Sequence, residues 1–310
     1  MITLAVLAPL PPDGPPASPH LLPLGRAANE LASRGVRLIF TEHLQAGLVR
    51  GFEVADGGWR ATSSEVSGVL DAWPSALPRQ AWESAIAGAG TRPVGNPASL
   101  TRTLRDRLAV NRALQATGVP VLPMEAKPER FDRVIAEWGG AIAVPRMRDG
   151  GGRRYVRAAE GAPTDGSCLL QRVLRPPTGW TEATVRAVAQ RSEAGTWVFS
   201  PFVSRRSRPG GSRRSPIVDL ASELLPKRAV VAMERTLAGA CDALGDDPLA
   251  VELGASFAID EHYEPHLIEV DGSPRWELLA LERAQPSRWN GVVRDALCRP
   301  FLRIAAVSAS

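Results

Sequence analysis

Apolar positions first form a run from Ile2 to Ala8, which predicts a buried strand; they then fall at helical spacing between Leu24 and Arg34. A second run, Val36 to Phe40, predicts another strand, so the chain opens β-α-β, as a small doubly wound α/β module ending near Arg92. Its first turn is crowded with Pro9, Pro11, Pro12, Pro15 and Pro16. It lacks the Gly-x-Gly-x-x-Gly of a dinucleotide site, so nicotinamide chemistry is not expected. Ser99 is placed as the N-cap of a helix with Leu100, Leu104 and Leu108 on one face, ended by Gly118 and Pro120. Pro128 to Trp138 predicts a helix, Ala141 to Pro145 a strand, and Tyr155-Val156 another. Pro226 opens a longer helix through Leu244, with Val230, Met233, Leu237 and Cys241 along its buried stripe. Two alternating runs, Val251 to Asp260 and His266 to Asp271, flank a polar turn and predict a β-hairpin. No internal repeat is present.

The hairpin carries the first chemical signal. Glu269 and Asp271, two apart on its second strand, leave the same face, while Ile268 and Val270 point to the other. Two acids beside the Gly272-Ser273-Pro274 turn form a hard-oxygen clamp suited to Mg²⁺; a solvated hairpin face is the alternative reading of the pair. Gly150, Gly151 and Gly152, flanked by arginines, lie between two strands. Their backbone N–H groups can come close to phosphate oxygens, although a plain flexible hairpin loop explains a triple glycine equally well.

Glu252-Leu-Gly followed by Ile268-Glu-Val-Asp-Gly-Ser-Pro resembles the closing signature of ATP-grasp enzymes. Arg105 to Leu114, leading to Thr117-Gly-Val-Pro-Val-Leu-Pro123, resembles the family's "D-K … L … G-I-P-x-P" helix and exit. Ala143-Val-Pro-Arg146 with Asp149-Gly-Gly-Gly152 resembles its "K-P … G-G" strand and phosphate loop, and Leu169-Leu-Gln-Arg-Val173 its adenine hinge. Val185-Arg-Ala-Val-Ala-Gln-Arg191, then Gly195-Thr-Trp-Val198, resembles a hairpin of the YheC/YheD endospore coat-associated group. The matches run in order from about Val94 to Pro274.

The resemblance implies an ATP-grasp fold behind a Rossmann-like first domain. The expected divisions are residues 1–93, a central subdomain with a glycine-rich lid at 94–170, and a C-terminal subdomain at 171–310 that carries the metal-binding hairpin. It implies ATP and Mg²⁺ as cofactors. Arg107, Arg146, Arg148, the three glycines, Gln171, Arg172 and Val173 would bind nucleotide. Glu269, Asp271 and, through a water, Glu252 would hold the metal. Arg186 and Arg146 would stabilise charge while a substrate carboxylate attacks the γ-phosphate and an amine displaces phosphate from the acyl phosphate.

Departures accompany the matches. Val144 stands where the family places a phosphate-binding lysine, and Arg107 where it places another. Ser256 replaces the first metal-binding aspartate, Thr184 an aspartate two before Arg186, and Asp271 the asparagine of the last motif. Of 37 basic residues only Lys127 and Lys227 are lysines, so Arg107 fits a general drift that keeps charge. Ser256 does not, because a neutral hydroxyl is a poor Mg²⁺ ligand.

Composition changes this picture little. Hydrophobic content of 44% and charged content of 23% are those of a folded globular chain. No run approaches a membrane span, and three scattered cysteines without metal spacing fit a reduced, cytoplasmic setting, with spore association implied only by the resemblance. The net charge of +4 owes much to Arg205 to Arg214, a Gly-, Pro- and Ser-rich stretch. It reads as a solvated loop or a lid for an anionic substrate. With no aromatic for base stacking, it is a poor nucleic-acid surface. Three functions remain in play: a carboxylate–amine ligase taking nucleotide and an acid and amine substrate, a non-catalytic relative with coat or envelope assembly partners, and a basic nucleic-acid binder.

Overall fold

A computed structural model describes the chain except residues 12–13, 15–21, 56–57, 72–76, 149–153, 157–165, 208–216, 273–275 and 310. The first layer is built from β1 (Ile2–Leu7), α1 (Leu22–Ser33), β2 (Val36–Thr41), β3 (Leu44–Gln45), β4 (Leu48–Ala55), β5 (Gly58–Glu65), β6 (Gly68–Asp71), α2 (Arg79–Ala89) and β7 (Val94–Gly95). Strands β2, β1, β6 and β7 run parallel, and β4, β3 and β5 extend the sheet antiparallel beyond β2. The apolar run at the start of the chain thus becomes a central strand buried from both sides, which is where such a run belongs.

Two helices follow, α3 (Ala98–Arg105) and α4 (Arg107–Ala116). The sequence predicts one continuous helix capped by Ser99; instead Pro97 holds the N-cap position and Ser99 lies inside α3. The helix breaks at Asp106, whose backbone is extended (φ −101°, ψ 106°) and whose side chain caps α4 by accepting from the Leu108 and Ala109 N–H groups. The central sheet then forms from β8 (Met124–Glu125), β9 (Ala141–Pro145), β10 (Arg154–Val156) and β11 (Cys168–Arg172), in the order β10-β9-β11-β8, with α5 (Phe131–Trp138) on one face.

The third sheet contains β12 (Glu182–Arg191), β13 (Trp197–Phe199), β14 (Val203–Ser207) and β15 (Ile217–Leu220), followed by the helices α6 (Ala221–Leu224) and α7 (Lys227–Leu244). The expected hairpin follows as β16 (Glu252–Ile259) and β17 (Pro265–Asp271), with helices α8 (Trp276–Ala284) and α9 (Pro286–Ala309) after it. Strand order is β15-β14-β12-β16-β17, all antiparallel. One face buries Val185, Ala187 and Ala189 against α4 and α7, where Met233, Leu237 and Cys241 line the stripe read from the sequence. Helix α9 crosses back to the first sheet. Trp289, Phe301 and Ile304 join Leu4, Val6 and Leu38 in one core, and a Cβ at Gly95 would stand 2.5 Å from the Ile304 side chain.

Candidate functional site

The break at Asp106 organises the site. Beyond β9 the chain runs antiparallel beside the break: Arg107 N–H donates to the Arg146 carbonyl (3.0 Å), Arg148 N–H donates to the Arg105 carbonyl (3.0 Å), and Asp106 bridges to Met147. Arg107 and Arg148 are thereby aimed together at β17. Arg146 is aimed elsewhere; its Nε and NH2 donate to Asp106 Oδ2 at 2.9 and 2.7 Å, and its side chain is half-exposed.

Burial pushes the Asp106 carboxyl up, but hydrogen bonds from Arg146 and from the Ala109 and Leu108 amides outweigh it, so the group sits below its usual 3.8. The same pair raises the Arg146 guanidinium. A depressed folded-state pKa contributes stability that is present above 3.8 and lost as pH falls through the folded value. Asp106→Ala is expected to cost about 1–2 kcal/mol at neutral pH, mostly through the lost cap because Arg146 is open to solvent. Asp106→Asn, which keeps an acceptor for the cap, should retain most of that when the two are compared by urea unfolding.

Across the break lie the two acids. Glu269 Oε1 accepts from Arg107 Nε at 3.1 Å and from Arg148 NH1 in a shorter contact. Asp271 accepts from Arg186 NH2 on both oxygens, at 2.6 and 2.7 Å, and its Oδ2 lies 3.7 Å from Arg148 NH1. Arg186 NH1 donates to Ser256 Oγ at 2.6 Å. Strand register explains the meeting: Arg186 is opposite Ser256 and Ser256 opposite Glu269, with a bulge after Ser256. Arg107 NH1 also donates to the Pro145 carbonyl, and Arg148 to the Leu104 and Val270 carbonyls. All three arginine side chains are 10–14% exposed.

One pleat further out, about 7 Å along the strands, this cluster meets a cleft of ≈ 320 Å³ between the central and third sheets. Thr184 and Ala258 line it directly beyond Arg186 and Ser256. Ile142, Leu122 and Ile268 supply apolar walls, and the chain from Gln171 to Leu174 forms an edge. Gln171 is buried, its Nε2 donating to the Ile268 carbonyl at 3.0 Å, so the side chain joins the two sheets. Arg172 and Val173 also line the cleft.

Not every expected residue converges here. Glu252 sits apart from the acid pair: its side chain accepts from Gln190 Nε2, and Gln190 also donates to the Ala296 carbonyl and accepts from Arg299, beneath α9. Asn96, which the sequence reading passed over, fixes the Glu252 backbone from the residue after β7. Val144 is buried against Leu108 and Leu169, so the position where the family has lysine belongs to the core here. Gly150, Gly151 and Gly152 lie outside the described residues, as does most of 205–214. Within the part described, Arg206 pairs with Asp219 at 3.1 Å and stacks 4.0 Å over Trp180, which makes it a packing residue. Burial pushes the Cys241 and Cys298 thiols up to about 12 and about 11, away from nucleophilic use.

Mg²⁺ is the ion that the resemblance implies for this cluster. Mg²⁺ takes a near-octahedral shell of hard oxygens. Here each carboxylate already accepts from guanidinium groups, and the third position is a hydroxyl that accepts from Arg186. Among the described residues no three His, Cys, Asp or Glu side chains gather as a metal site would require. In this arrangement the residues do not fit the ion.

No family model and no curated protein matches the sequence. Solved structures do match the fold. N5-carboxyaminoimidazole synthetase from Staphylococcus aureus is similar over 98% of this chain and 77% of its own, with a TM-score of 0.65 at 11% identity. D-alanyl-alanine synthetase A from Vibrio cholerae is similar over 96% and 98%, with a TM-score of 0.60 at 13% identity. A RimK domain ATP-grasp protein from Sphaerobacter thermophilus is similar over 97% and 99%, with a TM-score of 0.59 at 18% identity. The chain therefore has the ATP-grasp fold, with an α/β first domain. Among the described residues no helix is long and apolar enough to cross a membrane.

Proposed function

We propose that this protein binds an adenine nucleotide in the cleft between its central and third sheets, with the base at Gln171 to Leu174 and the phosphates toward Arg107, Arg148 and Arg186. The observation that supports this reading is a cleft of ≈ 320 Å³ with apolar walls, lined by Thr184 two residues along β12 from the buried Arg186. Apolar walls suit a flat base, and guanidinium forks suit phosphate oxygens. Filling the cleft with Ile142→Trp is expected to weaken ATP binding about tenfold or more in calorimetry while leaving the melting temperature near that of the wild type. Unchanged affinity would place any nucleotide elsewhere.

A second reading, an ATP-dependent carboxylate–amine ligase, draws on the synthetases that share the fold. In it a carboxylate attacks the γ-phosphate, an amine displaces phosphate from the acyl phosphate, and Arg186 offsets charge on the transferring group. ADP and orthophosphate accumulating when the protein is given Mg²⁺, ATP and mixed amino acids would decide for it. ATP that binds and stays intact decides for the first reading, to which the resemblance to the coat-associated group adds an assembly role in a coat or envelope.

A further inference from the structure

We propose that the pocket lined by α1, α8 and α9 is a second binding site, and that its ligand is a small zwitterion of the free α-amino-acid kind. The pocket shares no lining residue with the cleft, so the site does not depend on the nucleotide reading.

The pocket holds ≈ 300 Å³, at the lower end of the range for small-molecule sites. Helical period makes it. Arg26, Asn29, Glu30 and Ser33 recur at three- and four-residue spacing along one face of α1, and Asn290, Arg294 and Leu297 do the same along α9. Between these polar rims the buried Ala27 and Leu297 form an apolar floor, and both belong to the core that binds α9 to the first sheet. Glu282 of α8 completes the lining. Its buried carboxylate accepts from Arg26 NH1 at 3.0 Å and NH2 at 2.8 Å, a bidentate pair in which each charge answers the other. The open charges are then Glu30 on one rim and Arg294 on the other. Among the described residues Glu30 has no ion-pair partner, and Arg294 has only its exposed neighbour Asp295, at 3.9 Å. Asn29 and Asn290, beside them on the two rims, make no side-chain hydrogen bond among the described residues. Four polar groups thus face one cavity with bonding capacity to spare. The two charges also act at one point: burial raises the Cys298 thiol, Glu30 and Asp295 add to the rise, and Arg34 and Arg294 oppose it. A carboxylate and an ammonium one carbon apart answer both signs at once, with Arg294 and Asn290 donating to the first and Glu30 and Asn29 accepting from the second. A simple anion or a simple cation would meet one of the two charges with like sign.

The test is calorimetry of the full chain with glycine, L-alanine, L-glutamine and L-phenylalanine, each raised to about 10 mM. At least one is expected to bind. N-acetylating that amino acid, or converting its carboxylate to the amide, should weaken binding about tenfold or more, since each change removes one charge. Glu30→Gln and Arg294→Gln, both on the rims, should melt near the wild-type temperature and each weaken binding about tenfold. Binding of none of the four amino acids would overturn the inference. Binding that either variant leaves unchanged would also overturn it, by placing the amino acid elsewhere in the molecule. Binding that survives either chemical block would remove the zwitterion as the ligand. Ile142→Trp, which fills the cleft, should leave amino-acid binding at the wild-type value, so the nucleotide reading stands or falls on ATP alone.

Discussion

Alanine in place of Asp271 is expected to cost about 3–5 kcal/mol of stability, the range for breaking a buried pair by removing one partner. Arg186 is only 9% exposed and donates to both oxygens of Asp271 at 2.6 and 2.7 Å, so the substitution strips a buried guanidinium of a directly bonded counter-charge. Asp271→Asn, which keeps an acceptor but not the charge, should fall between alanine and wild type. Arg186→Met combined with Asp271→Leu should lie closer to wild type than Asp271→Ala alone, because the guanidinium and the carboxylate it pairs with leave together. Urea unfolding of the four proteins gives the comparison. A loss under about 1 kcal/mol for Asp271→Ala would mean that water reaches Arg186 freely, as at an exposed pair.

The second large effect comes from a lysine at Val144. Val144→Lys introduces the residue that the ATP-grasp resemblance implies there, but at a position 1% exposed and packed on Leu108 and Leu169. A lysine buried there is expected to cost about 3 kcal/mol or more, by desolvation and by overpacking. The penalty carries a pH signature. Burial depresses the ammonium pKa, so below about 10.4 the unfolded chain binds the extra proton and the folded chain does not, and stability rises with pH. Thermal unfolding followed from about pH 7 to about pH 10 should show the variant gaining on the wild type. A flat difference would mean that the amine escapes to the cleft, which would make the substitution a functional restoration.

These two residues also show what could be read from the sequence. The hairpin was legible because its first strand alternates and its turn is polar, but the bulge after Ser256 was not: it sends Leu267 into the core with Val270 and turns Ile268 to the cleft. Strand β9 was legible to the residue because Ala141 to Pro145 is bounded by Gly140 and a proline. The acid pair on one face followed from the two-residue period alone. The break at Asp106 was not legible, since Leu100, Leu104 and Leu108 continue one helical face across it. Tertiary contacts override that local preference: the Arg146 side chain on Asp106 and the Arg148 amide on the Arg105 carbonyl. The destination of the arginines was equally hidden. Arg107 and Arg148 meet Glu269 across 162 and 121 residues of sequence, and no spacing rule reaches that far. Ser256 and Val144 could be seen as departures but not interpreted, because only the packing shows that one receives Arg186 and the other fills a core.

Helix α9 sets the order in which the molecule can be made. Leu4, Val6 and Leu38 emerge from the ribosome about 250 residues before Trp289, Phe301 and Ile304, which cover them. The nascent first sheet must therefore wait with one wall open while the central and third sheets are built. Proofreading is a consequence: a chain released before residue 286 keeps an apolar face exposed to chaperones and proteases, whatever the state of its cleft.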